Sequence, residues 1–208
     1  TADITSRSLA VTITASNKTY DQTDTASVTY ADNRVAGDLF TVSGTATFSD
    51  KNAGTGKTVT AAGITLTGTD AGNYTQTTST TTTANITRKS LAVTITASNK
   101  TYDQTTAASV TYADDRIAGD VLTVSGTATF ASKTYGVGKT VTATGIALTG
   151  TDSGNYTQNT TATTTATINK KSLVVTITAS NKTYDRTTSR SEEHTSELQS
   201  RVDISYAV

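Results

Sequence analysis

The chain has 208 residues, balances 17 basic against 17 acidic side chains, is 34% hydrophobic and only 16% charged, and contains no Cys and no Met. Without a long basic run nothing tracks a phosphate backbone, and no apolar run approaches the length that spans a bilayer as a helix. Nucleic acid and membrane insertion are therefore not expected of this segment, and disulfides and Cys-ligated metals are excluded.

Thr supplies about a quarter of the residues, far above its usual share. Its β-branched side chain is stiff and suits a pleated strand better than a helix. The composition therefore predicts strands with hydroxyl-rich outer faces. The chain opens Thr1-Ala2-Asp3 without a secretory signal and reads as an internal fragment of a longer protein.

In chain order, residues 1–6 read as the end of a preceding unit. From Ser8 to Ala15, Leu9, Val11 and Ile13 share one face and Ala10, Thr12 and Thr14 the other, the period of a half-buried strand. The segment Asn17-Lys18-Thr19-Tyr20-Asp21-Gln22-Thr23 follows. Residues Ala31 to Ala36 allow a helical turn, which would fit a β-grasp-like sheet. After a turn at Ala36-Gly37-Asp38, Phe40, Val42, Ala46 and Phe48 share a face while Thr41, Ser43, Thr45 and Thr47 point outward. Gly54-Thr55-Gly56 marks another turn. Between Val59 and Ile64 the apolar phase slips by one, with Gly63 at the slip, which predicts a bulge or tight bend there and at Gly145. Asp70-Ala71-Gly72-Asn73 turns the chain before Tyr74. From Thr77 through Ile86 to Leu91 the sequence stays Thr-rich with no Pro or Gly, so the last strand of one unit should lead almost directly into the first of the next.

Repetition organises the whole chain. The Asn17 segment returns at Asn99 and again at Asn181, and Gly72-Asn73-Tyr74-Thr75-Gln76 returns at Gly154, so the period is 82 residues without insertion or deletion. Units run 7–88 and 89–170, and a third begins at 171 and is cut off near 189. Its first strand, around Leu173 to Thr178, would lack most of its partners. Each unit should hold six or so strands, and the expected fold is all-β: tandem small β-domains, sandwich-like or β-grasp-like, stacked end to end as a rod. A compact unit of this size occupies about 35–40 Å of length.

The repeats contain no His, Cys, Glu, Met or Trp. That inventory removes a Ser-His-Asp triad, a Cys-His pair, a zinc site and Glu-based acid/base catalysis. No catalytic, cofactor-binding or metal-binding residue is assigned, and an enzyme is not expected. Asp21, Asp38 and Asp70 stand where Asp braces a turn. Asp70 with Asn73 offers one carboxylate, too few for a tight calcium cage. Gly54-Thr55-Gly56-Lys57-Thr58 lacks the spacing and following helix of a phosphate loop and reads as a hairpin turn. Asn-x-Thr triplets at Asn17, Asn73 and Asn155 point to exposed polar loops. Tyr20-Asp21 and Tyr102-Asp103 admit two readings. An aromatic face beside a carboxylate suits carbohydrate; otherwise Tyr20 and Tyr102 anchor the core while Asp21 and Asp103 brace the following turn, the reading preferred here. Tyr74 and Tyr156 read as core anchors.

Lys89-Ser90-Leu91, Asn99-Lys100-Thr101-Tyr102-Asp103, Gly138-Lys139-Thr140-Val141-Thr142, Gly145-Ile146, Leu148-Thr149-Gly150 with Asp152, Gly154-Asn155-Tyr156 and Ala166-Thr167-Ile168 follow one another in an order that resembles the YDG domain. The resemblance covers residues 7–189 and implies repeats of large bacterial surface or secreted proteins, including filamentous-haemagglutinin-like adhesins. Gln22, Gln104 and Arg186 stand where the family name places Gly, and a side chain resists positive φ, so the turn after the Asp should be adjusted or should never have needed Gly. The expected function is a stalk or spacer of an extracellular or cell-surface bacterial adhesin-like protein, whose partners are the adjacent repeats. The alternative is a module that binds a host glycan or protein through its Tyr-bearing loops. Residues 190–208 break the pattern, holding every Glu and the single His. Arg190 to Ser200 resembles a translated sequencing adapter, so this tail is expected to be non-native or disordered.

Overall fold

The computed structural model describes residues 2–179, 181–184 and 186; the expected tail at 190–208 lies outside them. The fold is all-β, with two similar curled β-sheet units in tandem. The first repeat contributes β1 (Arg7–Leu9), β2 (Val11–Ala15), β3 (Lys18–Thr19), β4 (Val28–Asp32), β5 (Thr41–Phe48), β6 (Gly54–Thr67), β7 (Tyr74–Gln76) and β8 (Ser79–Thr87), with a 3₁₀ turn at Ala71–Asn73. The second contributes β9 (Lys89–Leu91), β10 (Val93–Ala97), β11 (Lys100–Thr101), β12 (Val110–Asp114), β13 (Thr123–Phe130), β14 (Gly136–Thr149), β15 (Tyr156–Gln158) and β16 (Thr161–Asn169). Eight strands per repeat replace the expected six or so, because β3 and β7 are too short to show a period.

Alternation explains each longer strand. In β2, Val11 and Ile13 are buried and Thr12 and Thr14 exposed, so the Thr hydroxyls line the outer face as composition predicts. Strands β3, β8, β6 and β5 lie in that order in one sheet, β2 pairs antiparallel with β4, and β1 pairs parallel with β7. The second repeat has the same orders, and every sheet is built from strands of a single repeat. Leu9, Val59, Ile64 and Ile86 sit at the centre of the first core, and Leu91, Val141, Ile146 and Ile168 take their places in the second. Burying a side chain of this size contributes about 1.5–3 kcal/mol.

The predicted slip in β6 is a bulge. Ser43 faces Thr65 and Thr45 faces Ala62, so one extra residue of β6 is accommodated there, and Gly63 takes φ 60°. Gly145 takes φ 62° at the same place. The pattern of β6 accordingly shifts from Val59 and Ala61 to Ile64 without leaving the core. The helical turn that residues Ala31–Ala36 would allow is not formed. Strand β4 ends at Asp32, and a tight turn follows in which the Asp38 N–H donates to Val35 O. The Arg34 N–H is drawn to Asp32 Oδ1 and the Val35 N–H to the Tyr74 hydroxyl, so the donors a helix would need are already engaged.

The junction is as direct as expected: only Arg88 separates β8 from β9. By spatial contact the chain up to Ile95 groups with Thr111–Thr127 and Ala143–Thr163 in a first compact unit. Thr96–Val110, Ala128–Thr142 and the described residues from Thr164 onward form the second. At the start of the third copy, Leu173, Val174, Val175 and Ile177 are 71–89% exposed. Their counterparts Leu91, Val93 and Ile95 are buried, in strands that pair with β15 and β12, which have no equivalent among the described residues of the third copy.

The hydroxyls of Tyr30 and Tyr112 are buried without a hydrogen-bond partner. Each lies against a glycine, Gly44 or Gly126, whose missing side chain makes the room. An unsatisfied buried hydroxyl costs more than its removal. Tyr30→Phe and Tyr112→Phe are each expected to stabilise the chain by about 1 kcal/mol, read from denaturant midpoints; a loss of stability would show that the hydroxyls are satisfied.

Candidate functional site

Three loops of each repeat carry most of its polar order. The first follows β3. Lys18 Nζ donates to Asp21 Oδ1 (2.8 Å), Thr23 O (2.7 Å) and Thr23 Oγ1 (2.9 Å) and lies near Thr25 O (3.1 Å). Asp21 Oδ1 also accepts the Thr23 N–H and hydroxyl, both at 2.9 Å, which closes a side-chain-to-backbone turn. Asn17 Oδ1 accepts the Asn85 N–H of β8 at 2.7 Å. Asn99, Lys100, Asp103 and Thr105 repeat the arrangement. The turn-bracing reading of Asp21 and Asp103 therefore describes their geometry.

The Lys100 ammonium and the Thr105 N–H hold the Asp103 carboxyl down at about 2. An unfolded carboxyl of this kind titrates near about 3.9, so the folded value is depressed. The stabilisation is complete above about pH 4 and disappears as the pH falls through 2. Asp103→Asn should therefore lower the melting temperature at pH 6 and lower it much less near pH 2; an equal offset at both would contradict the assignment.

The second and third loops are held together. In the first repeat the Leu39 N–H donates to Asp70 Oδ2 at 2.8 Å, and Tyr74 Oη accepts the Val35 N–H (2.8 Å) while donating to Asp38 Oδ2 (2.5 Å). In the second, Val121, Asp152, Ile117, Tyr156 and Asp120 make the same bonds. Gly68 and Gly150 let the two loops touch: a Cβ on Gly68 would stand 2.5 Å from Leu39 O and 2.6 Å from Phe40 Cα. Each repeat thus presents one Asp on a braced loop.

Within the first compact unit, the Asp of the second repeat receives the Tyr-Asp-Gln loop of the first. Asp120 is 7% exposed. Its Oδ1 accepts Tyr20 Oη at 3.0 Å and Gln22 Nε2 at 2.6 Å, and its Oδ2 accepts Tyr156 Oη at 2.5 Å. Gln22 Nε2 also donates to Ala118 O at 3.1 Å. The Tyr20 and Tyr156 rings meet edge to face, 5.6 Å apart. Beside them Asn155, 3% exposed, accepts the Ala53 N–H at 2.9 Å and donates to Asn52 Oδ1 at 3.2 Å. Burial works against the Asp120 charge, yet the donors Tyr156, Gln22 and Tyr20 hold its carboxyl below the usual range. Burial first, and then the bond to Asp120, raises the Tyr20 hydroxyl well above its ordinary value and lifts Tyr156 to about 12.

Gln22 meets this role from a strained backbone. Its φ is 67°, matched by 68° at Gln104 and 64° at Arg186. The turn is not adjusted to spare the side chain; it keeps the left-handed conformation that suits Gly. Such a position costs roughly 1–3 kcal/mol for another residue. Gln104→Gly, which loses no hydrogen bond among the described residues, should stabilise the chain by about 1 kcal/mol in dilute solution. Gln22→Gly should destabilise it, because a hydrogen bond to a charged acceptor contributes about 1.5–3 kcal/mol. Equal shifts in denaturant midpoint for the two variants would remove Gln22 from the junction.

Of the four residues considered for ligand binding, Tyr20 is buried against the neighbouring repeat, Tyr102 is half-buried, and Asp21 and Asp103 are exposed members of their turns. Tyr74 and Tyr156 are the expected buried anchors. Asn155 is not in an exposed loop as its triplet suggested. Lys57 pairs with Asp50 at 2.6 Å across the β5–β6 hairpin. Sequence reasoning missed Gln22, Asn52, Asp120 and Asn155 as partners. The one available signal was the retention of Gln after Tyr-Asp in both full copies.

These features define an all-β tandem-repeat protein in which ordered polar side chains join one copy to the next. The YDG domain matches residues 5–83 and 87–166, and the chain belongs to that family. No curated protein and no solved structure matched it.

Proposed function

We propose that these YDG repeats serve as a structural spacer in an extracellular or cell-surface bacterial protein of the adhesin type, holding a distal region away from its anchor. The observation that carries this reading is the clasp on Asp120. A buried carboxylate with three side-chain donors, beside a connection of one residue, opposes hinge motion between successive repeats. A polar network that is fully satisfied also fixes one arrangement, since any other leaves buried groups unpaired. The rival reading, a glycan- or host-protein-binding module, would need its Tyr faces open, and Tyr20 is committed to the adjacent repeat.

The chain has no native Cys, so spin labels can be placed at Thr45→Cys and Thr127→Cys, two exposed strand positions. Pulsed dipolar spectroscopy should give one narrow distance distribution. A broad or multimodal one would overturn the spacer reading. Binding of the same chain to arrayed glycans, with the distribution unchanged, would favour the module. The cellular placement is tested separately, by protease shaving of intact cells that express the parent protein.

A further inference from the structure

The opening and closing segments of the first repeat run side by side in the same direction. Strand β1 pairs in parallel with β7, and β3 with β8, so that Arg7 faces Tyr74 at one end and Thr19 faces Thr87 at the other. Side chains fasten both contacts. Ser6 Oγ lies 2.7 Å from Thr75 Oγ1, and Asn17 Oδ1 accepts the Asn85 N–H at 2.7 Å. The Thr87 hydroxyl donates to Lys18 O at 3.2 Å, and the Tyr20 N–H donates to Thr87 O at 2.9 Å. Leu9 and Ile86 of the paired strands are buried, which keeps water from that face of the contacts. On its other side β8 is held along its length by β6. The second repeat pairs β9 with β15 and β11 with β16 in the same parallel sense. It adds a further bond pair: Asn159 accepts the Val93 N–H at 2.8 Å and donates to Val93 O at 3.1 Å. Thr77 stands at that place in the first repeat and makes no side-chain hydrogen bond among the described residues.

We propose that each repeat is a tension-bearing element whose clamp is the parallel pairing of its opening and closing segments. This deepens the spacer reading and rests on it, since a spacer that holds a distal region is pulled along its own chain. Tension on the first repeat enters ahead of β1 and leaves through Arg88, directly after β8. Because the two segments are parallel, those points lie at opposite ends of the pairing. The pull therefore drives one segment past the other along their common axis. The hydrogen bonds of both contacts carry the load together and must fail together, whereas strands drawn apart from a shared end lose one bond after another. Forced unfolding follows the unfolding barrier and not the equilibrium stability, so the resistance depends on the direction of pull. Asn159 and Val93 fall between the two contacts of the second repeat, and their bonds join those under load.

The chain contains no Cys, so single-molecule pulling of the full chain can be steered by where Cys is placed. With one Cys added at each end, rupture of a repeat should lengthen the chain by roughly 230–260 Å, the extended length of 82 residues less the folded span. Asn159→Thr, which sets the first repeat's residue in the second, should lower the larger of the two rupture forces. Thr87→Val, which removes the hydroxyl from Lys18 O, should lower the force of the first repeat. Thr41 and Thr67 are exposed and face each other across β5 and β6. Pulled through Thr41→Cys and Thr67→Cys, that antiparallel pair is peeled from one end and should open at a force several-fold smaller. Equal forces in the two directions, or forces unchanged by both Asn159→Thr and Thr87→Val, would each overturn the proposal. None of these positions contributes a side chain to the Tyr20–Asp120 junction. A weak end-to-end rupture with a narrow spin-label distribution would therefore remove the clamp and leave the spacer, and a strong rupture with a broad distribution would do the opposite.

Discussion

Asp120→Ala is expected to destabilise the chain by about 3 kcal/mol, the scale for removing one member of a buried charged network. Three donors lose their acceptor at once, and two of them, the hydroxyls of Tyr20 and Tyr156, belong to buried residues. Asp38→Ala, at the counterpart position, removes only the Tyr74 bond and should cost about 1 kcal/mol. The contrast between two identical residues isolates the junction from the fold, and urea unfolding of both variants provides it. Equal losses would mean that Asp120 supports only its own loop. The junction also carries a pH signature. The Asp120 carboxyl is depressed, so its contribution is present above the ordinary carboxylate range and is lost as the pH falls through the lowered value. The Tyr156 hydroxyl is raised to about 12, so its contribution is complete below about pH 10 and lost as the pH rises through 12.

Gly68→Ala is expected to cost more than about 3 kcal/mol, combining backbone strain with overpacking. Gly68 has φ 145°, a conformation that L side chains rarely adopt, and its Cβ would stand 2.5 Å from a backbone oxygen. Neither neighbour is a flexible side chain that could swing away. Gly150→Ala is nearly as severe, with φ 114° and Val121 O at 2.7 Å. It also has a second consequence, because the loop it would displace carries Asp120. Thermal unfolding should show both losses. In the spin-labelled chain Gly150→Ala alone should broaden the distance distribution between repeats, and equal broadening by Gly68→Ala would break the link from this glycine to the clasp.

The strands were legible because alternation survives in any stretch long enough to show it, as in Val11–Thr12–Ile13. The bulge was legible for the same reason: a one-residue phase slip puts an extra residue into the strand, and a glycine at the slip can take the positive φ that absorbs it. The helical turn that Ala31 to Ala36 allowed is excluded by a contact from far along the chain. The Val35 N–H is taken by Tyr74, a residue 39 positions away, and no local pattern reports that. The junction was hidden more deeply. Asp38 and Asp120 sit in closely similar sequences, Ala36-Gly37-Asp38 and Ala118-Gly119-Asp120, yet only the second is buried, because burial there depends on what precedes each copy in the chain. Tyr20 was recognised as an aromatic anchor, but its core is partly that of the next repeat. Gln22 was seen as a departure from Gly, and the departure proved to be the contact.

Since both full copies carry both halves of the clasp, recombination between them would have a simple outcome. Loss or gain of one whole copy brings a Tyr-Asp-Gln loop from a different copy up to the same Asp, with donors and acceptors already matched. Arg186 takes φ 64°, close to Gln22 and Gln104, and exchanges the amide for a guanidinium, which is as well suited to a carboxylate. The joint is thus tied to the 82-residue period, because it depends on each Tyr-Asp-Gln loop meeting an Asp of the next copy.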